Sequence, residues 1–462
     1  MDELIYLPAN KLVEMIRTKA VSSVEVVQAH LHRIEQINPK INSVVQILAD
    51  SALRRANLAD EASSRGDSWG PLHGLPVTTK DAIEIAGVAT TGGTKGRTNH
   101  IPIRDATVIS RLLDAGAVIL GNTNVPELCL ADESDNLIYG RTNNPYDLSK
   151  APGGSSGGEA ATIASGGSPV GLGSDVAGSI RGPAHFCGIA GIKPTTGRIP
   201  TTGHWPPFGG LFAPMSQIGP MARYVEDLAL VLPILSGADG HDSYVAPAPL
   251  LDMHQAEIRS ARVAFFTDSG GLEPDADTKK AVHNALEVLR EAGASVTEAR
   301  PTGFENGHDL VAVILAADGG STVRKLLKEA GTTELHPFVR WLAEMDESTA
   351  LSGSKFAELL AKRDSWCSGM LSFMEDYDAV LSPVWAYPAV PHGAVAEDWP
   401  QSSFTHQYNL SGWPAAVVRA GTSTNGLPIG IQVATPPWRE DVALSLILRI
   451  EQELGGWQPP PL

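Results

Sequence analysis

A chain of 462 residues, 43% hydrophobic and 19% charged, has ample material for a large core, and its composition excludes intrinsic disorder. A formal net charge of −17 without any Lys/Arg cluster argues against direct binding of a polyanion such as nucleic acid. Three scattered cysteines, Cys129, Cys187 and Cys367, are too few for a disulfide framework and fit a reducing compartment.

In chain order, residues 9–37 read as helices. Ser22-Ser23-Val24-Glu25 has capping-box spacing, and Val27, Leu31 and Ile34 then recur at helical intervals. Asn38-Pro39 is expected to stop this helix, and another spans roughly Ile47–Ser64 before Gly66. His30 and His32 sit two apart on a helix, point to different sides and cannot share an ion; no Cys–His pairing has metal-site spacing, so neither a metal nor a cofactor is expected. The acidic start Met1-Asp2-Glu3-Leu4 lacks the basic and apolar regions of a secretory leader, and no apolar run approaches the ~18 residues of a membrane span. A cytoplasmic protein that does not enter membranes is the expectation.

From Gly70 to about residue 235 the texture turns α/β. Leu75–Lys80 reads as a strand, Asp105 as the N-cap of a helix through Leu113 closed by Gly116, and Ala117–Leu120 as a short buried strand. Residues 240–260 are rich in Pro and Ala with little periodicity, a candidate boundary. Val263–Phe266, a helix from about Asp275 to Glu291 and Ser295–Ala299 form a further βαβ unit, with Gly293 placed as a C-cap glycine. Residues 307–376 read as helical and carry no recognisable chemistry. Asp378–Ser382 resumes the sheet, and Asp441–Leu454 is a closing amphipathic helix. No internal repeat is present.

The most informative stretch is Ala151–Gly182. Two glycine-bracketed serine sites, Gly153–Gly158 and Gly171–Gly182, flank a short helix-like segment, Glu159–Ser165. Glycine admits positive φ and close backbone approach, so such clusters mark a shaped loop that holds hydroxyls and N–H groups in fixed positions. The stretch resembles the signature of the amidase signature family, serine hydrolases that cleave amides and related acyl bonds. The resemblance extends over nearly the whole chain: Gly74-Leu75-Pro76-Val77-Thr78-Thr79-Lys80-Asp81, Gly121-Asn122-Thr123-Asn124-Val125-Pro126-Glu127, Thr142-Asn143-Asn144-Pro145, Phe186-Cys187-Gly188 with Gly191-Ile192-Lys193-Pro194-Thr195, Asn409-Leu410-Ser411-Gly412-Trp413-Pro414-Ala415, and Gly426-Leu427-Pro428-Ile429-Gly430-Ile431-Gln432.

The resemblance implies one α/β domain over residues 1–462, built on a single large mixed, largely parallel β-sheet covered by helices on both faces. Its parts are a helical N-terminal region (about 1–65), a signature core (about 70–235), a helical and βαβ segment (about 260–376) and a C-terminal return to the core (about 378–462). It also implies a triad of Lys80, Ser155 and Ser179, the two serines standing twenty-four positions apart, with a cis bond at Gly154–Ser155. Ser179 attacks the carbonyl; Ser155 relays its proton to Lys80 and returns one to the leaving amine. The lysine must then be neutral near pH 7, which burial achieves by penalising the ammonium form. A strand position among Val77, Thr78 and Thr79 fits such burial, and Asp81 points to the other face.

Backbone N–H groups of Val176, Ala177, Gly178 and Ser179 form the expected oxyanion hole. Ala177 stands where the family commonly has a second glycine, and Asn122 where it usually has lysine, the latter expected to alter a surface or sheet-end contact. Asp175 and Arg181 match family positions and read as a pair that holds the loop; Ser156 and Thr195 read as structural. Cys129 and Gly154 are candidate substrate contacts. So are Trp205, Phe208 and Phe212 in Thr201–Met215, a loop read as a mobile apolar wall that selects bulky uncharged substrates.

Two other serine motifs compete. Gly154-Ser155-Ser156-Gly157-Gly158 fits a nucleophile elbow with Ser156 as nucleophile and His392 or His406 as base, but it leaves Ser179 and Lys80 without a role. Ser352-Gly353-Ser354-Lys355 fits S-x-x-K without its companion motifs. The expected activity is hydrolysis of small, largely apolar amides and, by the same attack, carbamates (urethanes), anilides or esters, by a monomer or homodimer. The alternatives are the glutamine-hydrolysing subunit of a tRNA-dependent amidotransferase, or a catalytically inactive scaffold.

Overall fold

Eleven strands drawn from most of the chain's length form one sheet. In the computed structural model, which describes residues 3–270, 273–394 and 404–462, they are β1 (Val44–Ile47), β2 (Pro76–Lys80), β3 (Val118–Thr123), β4 (Val170–Asp175), β5 (Ala190–Lys193), β6 (Gln217–Ala222), β7 (Arg262–Phe265), β8 (Ser295–Glu298), β9 (Ala379–Pro383), β10 (Ala415–Thr422) and β11 (Pro428–Ala434). Their order across the sheet is β1-β3-β2-β4-β6-β5-β10-β11-β9-β7-β8.

The sheet is mixed, as expected, but its expected largely parallel character is corrected: six pairings are antiparallel and four parallel. Parallel pairing is confined to β3-β2-β4 and β9-β7-β8. The middle of the sheet is antiparallel, and β10 passes to β11 through a tight turn at Ser423–Leu427, a connection open only to antiparallel neighbours.

Helices cover both faces. Val77, Leu172, Ile192, Ile218, Val418 and Ile431 pack on one side against the helices Val225–Leu235, Ala276–Glu291 and Glu440–Leu454. Val417, one position from Val418, packs on the other side with Met221 and the small residues of the helices Gly157–Ala164 and Arg181–Phe186.

Several expectations hold to the residue. Ser22 and Glu25 form a reciprocal capping box, and Asp275 caps Ala276–Glu291 through the Thr278 N–H at 2.7 Å. Others change. The helix Ser23–Ile41 runs through Pro39 and ends at Asn42, which adopts the left-handed conformation (φ 48°), while Asn38 Oδ1 receives the N–H groups of Ser43 and Val44. Strand β1 follows directly, so the next helix begins at Ala49. Asp105 accepts the Ala86 N–H at 2.7 Å, and the helix Thr107–Asp114 has Ala106 at its N-cap. No helix among the described residues is long and apolar enough to cross a membrane.

The parallel pair β2 and β4 positions the site. Their registers match Thr78 with Gly171 and Thr79 with Leu172, so their carboxyl ends open at the same edge. Lys80 ends β2 and Asp175 ends β4; such strand ends are where α/β sheets assemble sites.

Candidate active site

Lys80 is fully buried, and its Nζ lies 2.6 Å from Ser155 Oγ, 3.0 Å from Ser174 Oγ and 3.4 Å from Ser174 O. Burial lowers its pKa from the ordinary lysine value, opposed by Cys129, Asp175 and Glu159. The two carboxylates are also engaged elsewhere. Glu159 is raised to about 7 by its own burial, against donation from Thr78 and Thr123. Asp175 is committed to Arg181. Asp81 faces away and accepts from the N–H and hydroxyl of Thr91; burial raises it to about 7.

Ser155 precedes the helix Gly157–Ala164, and the Gly154–Ser155 bond is cis. Gly154 has no room for a side chain: a Cβ there would lie 2.5 Å from Ala131 O and Glu133 N. Ser179 precedes the helix Arg181–Phe186, on a loop where Gly178 has φ +122° and packs against Thr405. Asp175 organises that loop. Its carboxylate accepts from the N–H groups of Gly178 (2.8 Å) and Ile180 (3.1 Å), from Arg181 Nε and Nη2 (3.0 Å each) and from Asn409 Nδ2 (2.8 Å). Burial pushes its pKa up, but the Arg181 guanidinium and these donors hold it well below the usual carboxylate range.

The Gly178 N–H is therefore engaged. Among the described residues, no hydrogen bond takes up the N–H groups of Val176, Ala177 and Ser179 or the Ser179 hydroxyl. Three amides, not the expected four, are open to an oxyanion.

Ser179, Val176 and Ala177 line a cavity of about 390 Å³. Cys129, Leu130, Phe212, Leu315, Phe338, Trp341 and Leu342 supply most of its apolar wall, and Asp132 and Glu133 its carboxylates. Glu133 is tied to His392 Nδ1 and to the Gly393 N–H.

Residues 25–444 match the Amidase family model. The chain belongs to the amidase signature family. It is 32% identical over 463 residues to an acylamidase of Rhodococcus erythropolis, covering 97% of this chain and 96% of that one. It is 34% identical over 485 residues to a component of the glutamyl-tRNA(Gln) amidotransferase of Carboxydothermus hydrogenoformans, covering 97% and 98%. A solved fatty acid amide hydrolase superposes with a TM-score of 0.88 at 27% identity, covering 98% of this chain and 86% of that one. The protein is an amidase signature hydrolase acting on amides.

In this amidase the expected site residues are partly gathered and partly not. Lys80 bonds Ser155 and Asp175 bonds Arg181, two pairs carried by the neighbouring strands β2 and β4 and the loops after them, with Cys129 on the pocket wall and its thiol close to Lys80. Of the aromatic loop, only Phe212 reaches the cavity lining. Trp205 lies under the Arg97 guanidinium at 4.1 Å and against Gly92, and Phe208 stacks on His204 with ring centres 3.9 Å apart. Gly154 is packing, not lining. Asn122 is wholly buried in β3, where its Oδ1 accepts from Thr79 Oγ1, so it is not a surface substitution. The elbow alternative is not assembled: Ser156 Oγ bonds the Ser174 backbone, His392 meets Glu133, and His406 meets His308.

Sequence reasoning missed Ser174, His204 and the far wall. Phe338 and Trp341 stand three apart on the helix Pro337–Ala343, a readable one-faced spacing, but nothing local says which element that face meets.

The Asp175–Arg181 pair carries a stability prediction. Asp175→Asn leaves a fully buried guanidinium without its counter-charge, which costs about 3–5 kcal/mol. Denaturant titration of this variant is expected to show that loss, together with diminished turnover from a loosened Ser179 loop.

Proposed function

We propose that this amidase cleaves the C–N bond of small, largely apolar amides through a seryl acyl-enzyme, with Ser179 as nucleophile, Ser155 as proton bridge and Lys80 as base. The observation that carries this reading is the 2.6 Å contact between Ser155 and a buried lysine with a lowered pKa, beside a cavity that Ser179 lines. Ser179 Oγ attacks the carbonyl carbon as its proton passes to Ser155 and the Ser155 proton to Lys80. The N–H groups of Val176, Ala177 and Ser179 receive the oxyanion. Lys80 then returns a proton through Ser155 to the departing nitrogen, the C–N bond breaks, and water repeats the cycle to free the acid. Among the described residues no hydrogen bond joins Ser179 Oγ to Ser155 Oγ; catalytic hydrogen bonds often close only in the substrate complex, and this reading requires that one to do so.

The apolar wall supports an acyl group that is aromatic or carries several carbons. Glutamine is disfavoured. Its α-carboxylate needs a cation, and the described lining residues include Asp132 and Glu133 but no lysine or arginine. Carbamates and esters follow the same attack with a different leaving group.

A panel of 4-nitroanilides (acetyl, hexanoyl, benzoyl), a phenyl carbamate, a 4-nitrophenyl ester and glutamine tests this reading. Turnover of the hexanoyl or benzoyl anilide well above the acetyl one is expected, with none of glutamine; a preference for glutamine sinks it in favour of the glutamine-hydrolysing part of an amidotransferase. Trp341→Ala should lower the ratio of kcat/KM for hexanoyl over acetyl anilide by about 10-fold, the scale of a few lost apolar contacts. Trp205→Ala, outside the lining but packed behind it on the cluster that holds Leu342, should change that ratio less than Trp341→Ala does.

A further inference from the structure

His204 is buried on the loop that follows β5, 30 residues beyond Ser174 in sequence. Its Nδ1 lies 2.7 Å from Pro206 O and its Nε2 2.9 Å from Ser174 Oγ. A carbonyl oxygen only accepts, so Nδ1 carries the ring proton, and in the neutral ring Nε2 must accept. Burial, with Lys80 nearby, lowers the pKa of His204 to about 3 and keeps the ring neutral. The Ser174 hydroxyl therefore donates to Nε2 and can only accept from Lys80 Nζ, 3.0 Å away. The loop is held where this contact requires: His204 bridges to Ile83, Trp205 N–H donates to Ala82 O at 2.7 Å, and Phe208 stacks on the ring.

The consequence falls on the lysine lone pair. A neutral amine has two N–H donors and one lone pair. Ser174 Oγ and Ser174 O lie where they take the two donors, leaving the lone pair for Ser155 Oγ at 2.6 Å. A Ser174 hydroxyl without a partner would instead turn and donate to that lone pair. We propose that His204 is a positioning residue of this amidase, which fixes the polarity of the Ser174 hydroxyl and so aims the lone pair of Lys80 at Ser155.

The inference rests on Lys80 being the base, and the test separates the two. The readout is the rate of covalent labelling of the full-length protein by a fluorophosphonate, followed against pH. The variants are His204→Phe, which keeps the ring and removes both nitrogens, His204→Gln, which restores an acceptor, Ser174→Ala, the His204→Phe/Ser174→Ala double variant, and Lys80→Met. The titratable groups facing Lys80 are Cys129, Asp175 on β4, Glu159 on the helix Gly157–Ala164 and His204 itself; of these only His204 is altered.

His204→Phe is expected to lower the plateau rate about 10- to 100-fold, the scale of a misdirected catalytic group. It also moves the acid limb to lower pH, because a hydroxyl that occupies the lone pair holds the amine neutral. His204→Gln recovers most of the loss. The double variant loses no more than His204→Phe alone, since the competing hydroxyl is gone. A native plateau and limb in His204→Phe alongside an inert Lys80→Met overturns the proposal and leaves the base intact. A double variant whose loss is the product of the single losses overturns it equally. Native rates in Lys80→Met remove the base, and the proposal with it. Should His204→Phe fail to fold by circular dichroism, His204→Leu, equally without an acceptor, takes its place with the same expected and overturning results.

Discussion

Lys80→Met is expected to lower kcat by about 100- to 10,000-fold, the range over which a positioned general base contributes. Methionine keeps the length and buried character of the side chain, so circular dichroism and the thermal transition of the variant should match those of the native protein. The pH dependence gives the sharper readout. The base works only as the free amine, so kcat/KM of the native enzyme rises with pH through the pKa of Lys80 and levels off above it. Burial moves that pKa down from the ordinary lysine value, so the rise comes at lower pH than for an exposed lysine. The downward shift survives because burial outweighs the carboxylates around the amine, which are themselves engaged with other partners. Asp175 is held by Arg181 and Asn409, and Glu159 sits near 7 with two threonine hydroxyls bonded to it. The rising limb should vanish in Lys80→Met. An unchanged limb would assign it to another group, and a native kcat would end the assignment of the base.

What the sequence discloses about this site follows the range of the interactions involved. Asp175 and Arg181 are six residues apart and meet through one turn of loop, and Ser22 and Glu25 meet within one helical turn; such contacts are written locally and read locally. The two serine sites also announce themselves, because tight backbone approach at Gly154 and the positive φ at Gly178 demand glycine in either setting. The cavity wall is different. Leu315, Phe338 and Trp341 come from helices whose own periodicity says only that one face is apolar, and their meeting with Val176 and Ala177 is a property of the packed molecule. Trp205 and Phe208 illustrate the converse. Aromatics among prolines and glycines look like a substrate wall, yet one packs on Arg97 and the other stiffens His204. Strand direction is equally hidden, since β4 and β6 have the same kind of buried sequence whether they run together or opposed. The short edge strand β1, half exposed, carries too little pattern to stand out from the helices on either side.

Ser179→Ala should have the largest effect of any single change, a loss of kcat of about 10,000-fold or more, comparable to removing the nucleophile of other serine hydrolases. What distinguishes it from damage elsewhere is where a covalent probe lands. A fluorophosphonate should modify the native protein once, and peptide mass mapping should find the adduct on Ser179, the serine on the cavity lining with an open hydroxyl. Ser179→Ala should take up no label while keeping the native thermal transition, because its hydroxyl supports no hydrogen bond among the described residues. Ser156→Ala should behave in the opposite sense. Ser156 Oγ bridges the Ser174 carbonyl and N–H at 3.3 Å each, so its loss weakens the floor under Lys80 and lowers stability, yet leaves the adduct on Ser179. An adduct on Ser156 would restore the nucleophile-elbow reading of Gly154–Gly158, and an adduct on Ser155 would exchange the roles of attacker and bridge. Either would require the amides of Val176, Ala177 and Ser179 to serve something other than the oxyanion of Ser179's own attack.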